Sequence, residues 1–99
     1  MAVGYLQKKG YTIIECNFFT KHGEIDIIAK DSGYIVFVEV KRRQSNSFGY
    51  PREAMVARKI KKIQTVAAHY LEHTADTNQP RFDVIEILND RVEHIINAF

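Results

Sequence analysis

The run from Tyr34 to Arg42, YIVFVEVKR, sets the tightest limit on the fold. Successive side chains of a strand point to opposite faces. Here Ile35 and Phe37 fall on one face while Val36, Val38 and Val40 fall on the other. A strand that is apolar on both faces belongs in the middle of a sheet, covered on both sides. The chain is therefore expected to be α/β, a mixed sheet flanked by helices. Its 99 residues suffice for one such domain, over 1–99, and are too few for two. The charged residues Glu39, Lys41 and Arg42 then need a reason for ending a buried element.

The rest of the chain supplies the partners of this strand. Ala2 to Lys8 reads as a short helix, with Gly10 as its stop. Tyr11 to Phe19 and Gly23 to Lys30 are rich in β-branched and aromatic residues, and the turn Asp31, Ser32, Gly33 joins the second run to Tyr34. Three antiparallel strands are expected. Pro51 suits the first turn of a helix, and Val56, Ile60, Ile63, Ala67 and Tyr70 recur at spacings of four and three, an apolar stripe running to about His73. Arg81 to Leu88 and Arg91 to Ile96, joined at Asn89 and Asp90, close the order αβββαββ.

Several classes are excluded or made remote. No run approaches the ~20 apolar residues that span a bilayer, and the first ten residues lack the apolar core of a signal peptide, so a cytoplasmic protein is expected. The single cysteine, Cys16, has no internal disulfide partner and is expected in the core. No Cys/His set is spaced to hold zinc.

The charge is unevenly spread. Between Lys41 and Lys62 lie Lys41, Arg42, Arg43, Arg52, Arg58, Lys59, Lys61 and Lys62 against the single acid Glu53, in a chain whose net charge is only +2. A basic block in a nearly neutral domain is an electrostatic footprint for polyanions such as nucleic acid, although basic helix faces are often merely solvated. Next to it lies a cluster of acids. Strand alternation puts Glu24 and Asp26 on one face, and a hairpin reversing at Ser32 and Gly33 sets Asp26 opposite Glu39, with Lys41 beside it. Adjacent carboxylates repel unless a cation holds them, and oxygen ligands without cysteine or paired histidine call for Mg²⁺ or Mn²⁺. Such an ion polarises a phosphate and activates water, with Lys41 orienting that water or stabilising developing charge. The competing reading is a surface ion network of small energetic value.

These residues resemble a known pattern. Asp26, twelve intervening residues, then Glu39-Val40-Lys41 is similar to the D-x(n)-(D/E)-x-K core of the PD-(D/E)xK nuclease superfamily. The strings Gly23-Glu24-Ile25-Asp26-Ile27-Ile28-Ala29, Val36 to Arg43, Phe48-Gly49, Lys59, Tyr70-Leu71, Arg81-Phe82-Asp83-Val84 and Asn97-Ala98-Phe99 resemble the YraN-like family of bacterial proteins over essentially the whole chain. The resemblance implies a restriction-endonuclease-like core akin to archaeal Holliday-junction resolvases. It further implies Asp26 and Glu39 as metal ligands, the Val40 carbonyl as a further ligand, Lys41 as catalytic lysine and Glu24 as auxiliary. Family members usually carry a longer first helix with a glutamate; here only Ala2, Tyr5 and Leu6 match that pattern, so the first helix reads as shortened.

The expected function is Mg²⁺- or Mn²⁺-dependent hydrolysis of DNA phosphodiester bonds, with Arg42, Arg43, Arg58, Lys59, Lys61 and Lys62 holding the backbone and a homodimer if assembly follows the resolvases. The alternatives are a nucleic-acid-binding module of the same fold without catalysis, and an interaction protein whose carboxylates are only a surface network. The loop Gln44 to Tyr50 offers Phe48 and Tyr50 for base stacking, or is an ordinary connection. His22 reads as a turn or surface residue, and Asp83, beside Arg81, as a structural ion pair or a turn residue rather than a ligand.

Overall fold

The computed structural model describes residues 1–43 and 57–99. Among them the order is α1 (Ala2–Lys8), β1 (Thr12–Thr20), β2 (Gly23–Asp31), β3 (Tyr34–Arg43), α2 (Ala57–Glu72), β4 (Gln79–Leu88) and β5 (Arg91–Ile95). The strands form one sheet in the order β1-β2-β3-β4-β5. Only β3 and β4 run parallel; the other neighbours are antiparallel. The mixed α/β arrangement and every strand expected from the sequence are present. The loop with Phe48 and Tyr50, the Pro51 helix start, Val56 and Arg52 lie outside the described residues.

Local chemistry explains the joints. Gly10, at φ 94°, ends α1: its N–H donates to Gln7 O at 3.0 Å and the Tyr11 N–H to Leu6 O at 3.0 Å. That is the Schellman pattern, which requires a left-handed residue after the last helical turn. Leu6 and Tyr11, brackets of this motif, are both buried in the same cluster. The β2–β3 reversal has Ser32 and Gly33 at φ 49° and 86°, the two positive values of the tight hairpin turn that matches strand twist.

Each face of β3 has its own helix. Val36 and Val38 pack with Leu6 of α1, Ile27, Ala29, Ile85 and Ile87; Ile35 and Phe37 pack with Ile63, Val66, Ala67 and Tyr70 of α2. The apolar stripe expected on the second helix is thus its buried face.

Asp83, fully buried on the α1 side, anchors a polar cluster inside this core. Its carboxylate accepts from Arg81 Nε at 2.9 Å and Nη2 at 3.0 Å, from His94 Nε2 at 2.7 Å, from the Tyr11 hydroxyl at 3.1 Å and from the Asn97 N–H at 3.1 Å. Arg81 also donates to Asp31 at 3.2 Å. Burial alone would raise the Asp83 carboxyl, but these donors outweigh it and hold the group down to about 2. The structural role expected for Asp83 therefore extends to His94, which the pairing of β5 with β4 brings in, and to Tyr11, which follows α1 at the other end of the chain.

One expectation is corrected. Cys16 is exposed. It lies on β1, an edge strand, and lines an open pocket of about 480 Å³ with Met1, Ala2 and Val3 at the start of α1. As an edge strand β1 is paired on one side only, and the neighbours Glu15 and Asn17 are exposed as well.

Candidate active site

Asp26 stands where the β2–β3 ladder ends. Backbone pairing runs from Asp31↔Tyr34 to Ile27↔Val38 and no further. Beyond that point the side chain of Asp26 replaces a backbone acceptor, taking the Val40 N–H on its Oδ2 at 2.7 Å. The N–H and C=O of one strand residue project toward the same edge, so the Val40 carbonyl faces the same opening.

The alternation of faces along β2 breaks at the same place. Ile25 and Ile28 pack on the α2 side, whereas Ile27 and Ala29 pack on the α1 side. Ile25 and Ile27 therefore do not share a face, as strict alternation would have it. Without β3 alongside, this end of β2 is free to twist out of the pleat of the central sheet. Glu24 is carried away with it: it is exposed, stands opposite Phe19 of β1, and makes no hydrogen bond or ion pair among the described residues. The expected three-carboxylate cluster does not form; no group of three or more His, Cys, Asp or Glu among the described residues is placed to hold an ion.

Two carboxylates and two lysines do converge. Glu39 and Lys41, 8% and 9% exposed, lie on the α2 side of β3. From α2, Lys59 brings its Nζ to 2.7 Å from Glu39 Oε2. The sequence groups Lys59 with the residues that hold a nucleic-acid backbone and also lets it approach the site; its ammonium faces the acids. The signal for this is its place at the boundary between the apolar and basic faces of the helix.

The charges act on one another. Burial pushes the Glu39 carboxyl above its ordinary range, and the charge of Asp26 pushes the same way, against the pull of Lys59 and Lys41. Burial also lowers the Lys41 ammonium, and the nearby charge of Lys59 lowers it further. Lys59 is raised, first by its hydrogen bond to Glu39. The ion pair thus favours the charged form of Lys59 without offsetting what burial costs Glu39.

The basic residues are divided between the sheet's two faces. Arg42 is exposed and lines the α1-side pocket together with Asp26, while Arg58, Lys61 and Lys62 are exposed along α2. Arg43 is half-buried beside Arg91 in a separate pocket of about 300 Å³. His22 is exposed at the β1–β2 turn, as expected.

The model of the uncharacterised protein family UPF0102 matches residues 1–87. The chain belongs to that family. This bears out the YraN-like resemblance at the level of the family. A UPF0102 protein of Persephonella marina is 48% identical over 99 residues, covering 99% of this chain and 85% of that protein. One from Thermodesulfovibrio yellowstonii is 48% identical, covering the whole chain and 88% of that protein. One from Clostridioides difficile is 51% identical over 102 residues, covering the whole chain and 90% of that protein.

What this UPF0102 site can hold follows from its donors. Two carboxylates and a backbone carbonyl are hard oxygen ligands, and Mg²⁺ commonly binds through one or two carboxylates while keeping several waters and taking substrate phosphate oxygens. Asp26, Glu39 and the Val40 carbonyl fit that requirement. No helix among the described residues is long and apolar enough to cross a membrane.

Proposed function

We propose that this UPF0102 chain is a Mg²⁺- or Mn²⁺-dependent endonuclease acting on DNA, with a restriction-endonuclease-like core. The observation that carries the reading is the meeting of Asp26, Glu39 and Lys41 at the parting of β2 and β3. Buried charges in a sheet are costly, and a function that needs them is the simplest reason for their presence.

A divalent ion bound there supplies Lewis acidity toward a phosphate oxygen and a lowered pKa for its water. The chain's own groups do the rest. Asp26, fixed by the Val40 N–H, and Glu39 present their oxygens to the opening. Lys41, buried in the strand beside Glu39, orients the attacking water and stabilises the charge that develops on the phosphate. In the reaction the water oxygen bonds to phosphorus and gives a proton to solvent, the bond to the leaving oxygen breaks, and that oxygen takes a proton from solvent. Arg42 on one side and Arg58, Lys61 and Lys62 on the other grip the backbone, so binding is expected to depend on salt and little on base sequence.

The test is calorimetric titration of Mg²⁺ and Mn²⁺ into the wild type and an Asp26→Ala/Glu39→Ala variant, followed by incubation of both with branched and linear DNA. Saturable binding and cleavage, both lost in the variant, are expected. A wild type that binds DNA in a salt-dependent way yet takes up neither ion would overturn the nuclease reading in favour of a non-catalytic binding module.

A further inference from the structure

The chemistry above gives Lys59 no task. Its Nζ is 2.7 Å from Glu39 Oε2, and its side chain is 45% exposed against 9% for the glutamate. The charges of Asp26 and Glu39 both favour its charged form. An ammonium in this position neutralises the carboxylate pair from the solvent side, the side from which an ion and a phosphate would arrive. Lys41 is held in the strand and buried, whereas Lys59 is a long, flexible stem on a helix surface, with rotamers that lead back toward solvent.

We infer that Lys59 is a resident counter-ion of the carboxylate pair, which a divalent cation must displace and which then turns to the phosphate of the bound polyanion. The inference rests on the reading of Asp26 and Glu39 as ion ligands. Asp26, Glu39, Lys41 and Lys59 carry no net charge together. Adding a divalent ion leaves the group at 2+, and two cations compete for one Glu39 oxygen. A phosphodiester anion relieves both problems by giving the displaced ammonium a new partner. Ion and polyanion therefore bind with positive coupling, each tightening the other by the same factor. Lys59 is in this sense a positioning residue that makes ion uptake conditional on substrate.

The experiment is calorimetric titration of Mn²⁺ alone, and of Mn²⁺ with a short phosphorothioate duplex present, into the wild type, Lys59→Met and Lys59→Arg. Circular dichroism confirms that each variant is folded. Lys59→Met should bind Mn²⁺ alone about three- to fivefold more tightly than the wild type, the factor that corresponds to removing one partly exposed ion pair. It should also lose the tightening that the duplex gives the wild type, and Lys59→Arg should retain the wild-type pattern. Equal Mn²⁺ affinity in the wild type and Lys59→Met, or weaker binding by Lys59→Met, would overturn the counter-ion role while leaving the ion site standing. No Mn²⁺ binding by any form, with or without duplex, would overturn the site and this inference with it.

Discussion

Replacing Asp83 by asparagine should be the most damaging single polar change in this domain. Asp83 is fully buried and its carboxylate takes five donated hydrogen bonds, two of them from Arg81. An asparagine keeps the shape but loses the charge and turns one acceptor into a donor, which then faces Arg81 or His94. Arg81 would remain buried with Asp31 as its only carboxylate among the described residues. Removing one partner of a buried ion pair costs on the order of 3–5 kcal/mol. The depression of the Asp83 carboxyl from 3.8 to about 2 gives a second route. It corresponds to about 2 kcal/mol favouring the charged over the neutral carboxyl. Both point to a loss of about 3 kcal/mol, a large share of the ~5–15 kcal/mol that such domains possess, and a fall in Tm of roughly 12–24 °C. Urea unfolding at pH 7, followed by far-ultraviolet circular dichroism, measures it. The pH dependence has a definite sign. A carboxyl whose folded value is depressed adds stability that is complete above its unfolded value and lost as pH falls through the folded one. Wild-type stability should therefore fall more steeply than that of Asp83→Asn between about pH 4 and pH 2, the interval those two values bound. A loss below about 1 kcal/mol at pH 7, or parallel pH profiles for the two proteins, would refute the reasoning.

Two further outcomes are expected. Gly10→Ala should cost about 1 kcal/mol, read as a lower urea midpoint at unchanged slope, because φ 94° is closed to a Cβ on backbone grounds while the space around it is open. Replacing Arg42, Arg58, Lys61 and Lys62 together by glutamine should lower the slope of log affinity for duplex DNA against log salt by roughly 3–4, at about 0.9 for each phosphate no longer neutralised, and an unchanged slope would show that these side chains do not touch the backbone.

The architecture was readable because its signals are local. A strand apolar on both faces, a Ser-Gly reversal and a four-and-three stripe each act within a few residues, and β3, the β2–β3 turn and the buried face of α2 follow from them directly. Extending the same turn arithmetic also brought Asp26 opposite Glu39. What escaped the sequence depended on where a ladder stops. Strict alternation assumes a partner along the whole strand, so it put Glu24 beside Asp26 and could not foresee the twist that separates them. The gathering of Tyr11 and His94 around Asp83 joins residues 11 or more positions apart and is set by helix docking and strand order rather than by any local pattern, and helix docking likewise decides between the two placements that the position of Lys59 allows. Cys16 shows the same limit: a small sulfur in an apolar run is usually buried, and its exposure goes with the place of β1 at the edge of the sheet, which strand order sets.

The parting of β2 from β3 has a kinetic consequence. Many binding sites lie under a loop or between elements that have to be pulled apart, and their association rates carry the cost of that opening. Here the backbone bonds that would close the gap were never made, since one carboxylate oxygen of Asp26 has taken the N–H that the next rung would have used. A ligand arriving at Val40 and Glu39 breaks no rung of the sheet. On the proposed role of Lys59, the rearrangement it needs is the swing of one lysine side chain, a motion of nanoseconds rather than milliseconds.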